Sequence, residues 1–149
     1  MRAVIQRVNA ARVEVKAEVA GQIEDGLVVF LGVGREDGPA DSDYLAGKIA
    51  GLRIFEDTEG LMNLSVQDTG GAILSISQFT LFGDCRKGRR PGFSAAAPPE
   101  QAEELYEHFT ENLRRQGIAV AKGRFQAEMR IIVDNDGPVT ILLDSKKQF

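Results

Sequence analysis

The chain has 149 residues, of which 43% are hydrophobic and 27% charged, and a formal net charge of −4. This size and balance fit one soluble globular domain over residues 1–149 with a single substantial core, and no apolar run approaches the ~20 residues of a membrane span. One cysteine, Cys85, and one histidine, His108, exclude an intrachain disulfide and a zinc site of Cys and His ligands.

No Asp/Glu cluster has convincing spacing for a divalent cation, so no metal or cofactor is expected. Met1–Val8 carries polar residues before any signal-like apolar stretch develops, which favours a cytoplasmic protein.

Ala3 to Val8 and Val13 to Val19 have partly alternating apolar positions and predict two strands. Gly26 to Val33 is an apolar run between glycines and predicts a buried strand. After a polar loop, Leu45, Ile49 and Leu52 share one helical face, with Asp41 or Ser42 as candidate cap. Glu56 to Gly60 reads as a turn, and Ala72 to Thr80 as a strand rich in β-branched residues. Asp84 to Pro99 is a long irregular stretch of the kind that is often functional. A second helix follows, with the stripe Ala102, Leu105, Phe109, Leu113 and a stop at Gly117. Ile118 to Phe125, Met129 to Val133 and Val139 to Leu143 predict three closing strands. The elements add up to an α/β domain: mixed, largely antiparallel sheets with two main helices packed on one side.

Four segments carry candidate chemistry. Ser75-Ile76-Ser77-Gln78-Phe79-Thr80-Leu81 puts polar groups at the end of a core-like strand. Such groups need partners; they either satisfy local backbone or present donors to a reacting carbonyl. Arg86-Lys87-Gly88-Arg89-Arg90 has four cations in five residues of an acidic chain, a phosphate-binding loop or a solvated one. Phe125 and Met129 line an apolar pocket or belong to the core, and an exposed aromatic can stack on a base. Asp136-Gly137-Pro138-Val139-Thr140 reads alone as a turn. His108 falls beside its helix's buried stripe and reads as a solvent-facing residue rather than a base. Cys85 has a cationic neighbour but no neighbouring base.

Taken in chain order, Met1–Val8, Gly26–Val29, Leu52–Phe55, Ser77-Gln78-Phe79-Thr80-Leu81, Gly88-Arg89-Arg90-Pro91 and Asn135-Asp136-Gly137-Pro138-Val139-Thr140 resemble the D-aminoacyl-tRNA deacylase family over essentially the whole chain. The resemblance implies a homodimer with active sites at the subunit interface. It implies hydrolysis of the ester of D-aminoacyl-tRNA, and of glycine-mischarged tRNA, as chiral proofreading. Ser77, Gln78, Phe79 and Thr80 would form the floor of one site. Gly137 and Pro138, joined by a cis peptide, would reach in from the other subunit and exclude an L side chain. Arg7 would hold that loop, and Phe125 and Met129 would flank the pocket for the terminal adenosine. Arg86, Lys87, Arg89 and Arg90 would meet the tRNA. The family usually has Gly and Asp where this chain has Gln126 and Glu128, which bears on the local shape of that pocket.

An ester needs a nucleophile, a proton manager and oxyanion stabilisation, and no His or Cys is placed to act as base. The favoured account has water attack, the substrate's ribose 2′-OH manage the proton, and backbone N–H groups around Phe79 and Thr80 hold the oxyanion. Thr80 and Gln78 then orient. Thr80 as nucleophile, and a non-enzymatic RNA-binding module, are the competing readings.

Overall fold

The computed structural model describes residues 1–149. Strand β1, Arg2–Val15, is continuous. Residues Asn9 to Arg12, between the two expected strands, are carried through by irregular pairing with the last strand. Lys16 and Ala17, both at positive φ, make a two-residue turn into β2, Glu18–Ile23. Paired positive φ is the conformation of the tight hairpin turn whose twist matches its strands. The expected strand Val13 to Val19 is therefore a hairpin.

Strand β3, Gly26–Gly32, pairs antiparallel with the first half of β1. Helix α1, Pro39–Ala50, starts from Gly38. Asp41 is not the cap residue but lies inside the first turn, where its carboxylate accepts from the Gly38 N–H at 2.9 Å. Ser42 is buried, with its hydroxyl on Leu105 O at 3.3 Å. Strands β4, Phe55–Glu56, and β5, Met62–Leu64, form a small hairpin around the expected turn, and Ser65 caps the short helix α2, Val66–Thr69.

Strand β6, Ala72–Ser77, runs parallel to β3. It ends earlier than expected: residues Phe79–Phe82 form a 3₁₀ turn. Gln78 N donates the last rung to Leu31 O at 2.8 Å. Beyond Gly32 strand β3 offers no further partner, so the chain curls. Helix α3, Pro99–Arg115, buries Leu105, Tyr106, Phe109, Thr110 and Leu113, and Gly117 follows it at positive φ. Strand β7, Val120–Lys122, is shorter than expected and pairs parallel with β6.

The last two expected strands are one, β8, Arg130–Asp144, antiparallel to β1 along nearly its whole length. Val8 faces Asn135 and Gln6 faces Thr140, so residues 136–139 loop out opposite Arg7 alone. The Asn135 amide closes the neck of this bulge, donating to Arg7 O at 2.9 Å and Val139 O at 3.1 Å.

The six-stranded sheet has order β2-β1-β3-β6-β7, with β8 on the other edge of β1. Helices α1 and α3 cover one face. Leu45, Ile49, Leu105, Phe109 and Leu113 pack there against Ile5, Leu27, Val29 and Ile73. On the other face the sheet curls on itself, bringing Val13 and Ile23 onto Val28, Leu74 and Ile76. Strand β3 is thus covered on both sides, which is why it reads as an unbroken apolar run. No helix is long and apolar enough to cross a membrane.

Candidate active site

A cleft of about 840 Å³ opens where β3, β6 and β7 end. This is the edge at which open α/β sheets receive ligands, beyond the carboxyl ends of their parallel strands. Ser77, Gln78 and Phe79 make its floor; Phe93, Phe125 and Met129 are among its walls. Phe79 is 54% exposed although large and apolar. Its ring meets that of Phe93 edge-on, centroids 5.0 Å apart, so the floor and one wall are a single aromatic unit.

The polar groups of the floor follow from the curl of the chain. The first N–H groups of any helical turn lack intrahelical acceptors. Those of Phe79 and Thr80 donate to no turn, loop or side-chain acceptor, while Leu81 N and Gly83 N close the turn on Gln78 O and Thr80 O. The Gln78 side-chain amide donates to the Thr80 hydroxyl. Thr80 is exposed beside the cleft, while Ser75, buried behind it, has a hydroxyl with no partner.

Tyr106 is not singled out by sequence, because its position reads simply as helix core. Its hydroxyl donates to Ser75 O at 2.8 Å, and its ring lies 6.3 Å from that of Phe125. Burial pushes this phenol up to about 12, against the lowering effect of the Ser75 hydrogen bond. It therefore stays a neutral donor that ties β6 to the wall. Phe93 is a second residue that sequence reasoning misses: it follows the basic loop and carries no signal of its own, yet its ring lines the cleft.

Arg35 is the only ionisable residue lining the cleft, and its guanidinium donates to Ser94 O. No carboxylate, histidine, cysteine or lysine faces the floor as a base. His108 pairs with Asp43 Oδ1 at 2.8 Å on the helical surface, as its position beside the stripe predicts, and Cys85 is exposed on the basic loop. No three His, Cys, Asp or Glu side chains gather as a metal set.

The turn that carries Phe125 settles the local shape left open by the sequence. Ala127 N donates to Arg124 O at 3.2 Å, and Gln126 takes φ 60°. Gln126 adopts the left-handed conformation that glycine adopts freely, and its side chain lines the cleft.

The four cations of the loop are not equivalent. Asp84 and Gly92 bridge through paired backbone bonds of 2.8 and 2.9 Å. Arg86 returns to Asp84 with bonds of 2.9 and 2.7 Å, and these hold the Asp84 carboxyl far below the usual carboxylate range. Lys87, Arg89 and Arg90 are exposed and make no ion pair.

Gly137 and Pro138 stand apart from this cleft. Their peptide bond is cis and lies in the β8 bulge. Arg7, 7% exposed, lies against the bulge: its Nη1 is fixed by donating to Ile54 O at 2.7 Å, and its Nε forms an ion pair with Asp136 Oδ2 at 2.9 Å without hydrogen-bond geometry. Only glycine fits at 137, where φ is 113° and a Cβ would lie 2.8 Å from Val139 Cγ2. Within one chain, then, Ser77–Thr80, Phe125 and Met129 come together, and Arg7, Gly137 and Pro138 come together elsewhere.

The matching family model and the curated relatives place the chain in a class of hydrolases that act on the aminoacyl-tRNA ester. The family model for D-Tyr-tRNA(Tyr) deacylase matches residues 4–144. A protein of Symbiobacterium thermophilum named D-aminoacyl-tRNA deacylase is 62% identical over 149 residues, covering 100% of this chain and 99% of that one. One of Desulforudis audaxviator with the same name is 60% identical, covering 100% of both. A solved structure titled c-Myc DNA Unwinding Element Binding Protein is 42% identical, with TM-score 0.91, over 97% of this chain and 98% of that one. The chain belongs to the D-Tyr-tRNA(Tyr) deacylase family and is a hydrolase.

Proposed function

We propose that the chain hydrolyses the ester joining a D-amino acid, or glycine, to tRNA and rejects L-aminoacyl esters. The observation that carries this reading is a cleft with an unengaged N–H group at Phe79 on its floor and another at Thr80 beside it, aromatic walls and no general base. Charge developing on the ester carbonyl would be held by the N–H groups of Phe79 and Thr80. Water attacks the carbonyl carbon, the ribose 2′-OH of the substrate manages the proton, and the tRNA leaves as its terminal hydroxyl. Gln78 and Thr80, already bonded to each other, orient the ester. A hydroxyl without a base is a weak nucleophile, which argues against attack by Thr80.

Phe125 and Met129 would flank the terminal nucleoside, and Lys87, Arg89 and Arg90 would meet phosphates. The protein would act as a homodimer. Gly137-Pro138 of the partner subunit would then close the cleft and occupy the space of an L side chain. Two features support this arrangement: the loop is separated from the floor of its own chain, and Arg7 makes it a firm obstacle. Deacylation of D-Tyr-, Gly- and L-Tyr-tRNA tests the reading. Release of D-Tyr and glycine with L-Tyr-tRNA intact is expected. Binding of tRNA without release of any amino acid would make the protein a binding module instead.

A further inference from the structure

The floor of the cleft is a single 3₁₀ turn, Phe79–Phe82, too short to hold its own geometry. From below it rests on the end of β3. A Cβ on Gly32 would lie 3.0 Å from both Gln78 O and Leu81 Cβ, and one on Gly34 would lie 2.9 Å from the Phe82 ring. The turn is seated in a groove that only glycines leave open.

A second element holds its far end. Arg2, at the start of β1, donates from Nη1 to Leu81 O at 3.1 Å, and its guanidinium carbon sits 4.6 Å from the centroid of the Phe82 ring. Carbonyls at the end of a helical turn lack internal donors and attract cations. Arg2 is itself fixed, with Nε 3.4 Å from Asp144 Oδ2 on a carboxylate 2% exposed, and Nη2 3.4 Å from Gln148 Oε1. The forked guanidinium makes these contacts together, which an ammonium cannot do.

We propose that Arg2 is a positioning residue for the deacylase reaction. By clamping Leu81 O and Phe82 it sets the orientation of the 3₁₀ turn, and with it the direction in which the Phe79 and Thr80 N–H groups point. It acts through the turn and touches no substrate. The kinetic part of this inference rests on the function proposed above; the structural part does not.

The test compares the full-length protein with Arg2→Leu and Arg2→Lys, at a temperature where circular dichroism shows all three folded. Steady-state deacylation of D-Tyr-tRNA and amide hydrogen exchange at Leu81 and Gly83, which donate to Gln78 O and Thr80 O, are measured. Arg2→Leu is expected to lower kcat about tenfold or more, since small misplacements of catalytic groups are costly, with KM for charged tRNA unchanged. Arg2→Lys, which keeps charge without the fork, recovers part of kcat. Amide exchange at Leu81 and Gly83, whose N–H groups close the turn, rises in Arg2→Leu. A lower melting temperature with kcat and exchange unchanged overturns the proposal, leaving Arg2 a structural residue. A raised KM with kcat unchanged also overturns it, making Arg2 a tRNA contact. If the unaltered protein releases no amino acid, the reading of function has failed, and the exchange measurement still decides whether Arg2 orders the turn.

Discussion

Gln126 is a non-glycine residue at φ 60° in the turn that carries Phe125. For an L residue this conformation costs roughly 1–2 kcal/mol, because Cβ crowds the following carbonyl oxygen. Gln126→Gly removes that strain. It also gives the unfolded chain more freedom, which costs about 0.4–1 kcal/mol. The balance favours the variant by about 0.5–1 kcal/mol, or ~2–3 °C in Tm for a domain of this size. Gln126→Ala is the control: it keeps Cβ, and so keeps the strain, while deleting the amide. An exposed truncation of that kind changes stability by less than about 0.5 kcal/mol. Urea denaturation followed by circular dichroism measures all three, with m unchanged if only the folded state responds. A glycine variant no more stable than the alanine variant would show that Gln126 carries no such strain.

Thr80→Ala is expected to keep substantial kcat on D-Tyr-tRNA, while a substrate lacking the terminal 2′-OH is cleaved poorly; the opposite pair of results would identify Thr80 as the reacting group. Replacing Arg89 and Arg90 with Gln should weaken tRNA binding and flatten its salt dependence, by roughly 0.7–0.9 in slope for each phosphate no longer neutralised. Arg86→Gln should change that slope less, because Arg86 is engaged by Asp84; titrations at several salt concentrations separate the two. Burial raises the Asp41 carboxyl, but hydrogen bonds from Ser145, Gly38 N–H and Lys146, with the Lys146 charge, outweigh it and hold the group at about 2. A depressed carboxylate adds stability above its unfolded value near 4, and that contribution is lost as pH falls toward 2. The stability difference between the protein and Asp41→Asn should therefore shrink across that window, as urea midpoints at successive pH values would show.

The sequence made some of this architecture legible and hid the rest for identifiable reasons. Strand β3 and helix α3 were readable because each is buried in a way its periodicity records: β3 on both faces, α3 along one stripe. The hairpin at Lys16 and Ala17 was hidden because neither residue favours positive φ, so no turn signal exists there. The 3₁₀ turn was hidden because Phe79, Thr80, Leu81 and Phe82 suit a strand; what ends the strand is the end of its partner β3. Asp136 to Val139 read as a turn between two strands, when β1 runs past them and pairs on both sides. For the site, the polar strand end and the wall residue Phe125 were readable. Phe93 was not, since only the fold carries it to the cleft, and neither was Tyr106, which lies buried behind the Phe125 wall. The pairing of Arg86 with Asp84 was likewise invisible to a count of charges.

If a working site combines the floor of one subunit with Gly137-Pro138 of its partner, two variants that are each inactive should complement one another. Phe79→Pro deletes one floor N–H at a position where a helical turn accepts proline. Gly137→Val places a Cβ where φ 113° and Val139 leave no room. Each alone should fail to release D-Tyr from D-Tyr-tRNA. Mixed, unfolded and refolded together, half the dimers carry one of each, and one of their two sites is intact, so about a quarter of the unaltered rate should return. Mixing that restores nothing, from variants shown to be folded and dimeric, would contradict a site shared between subunits.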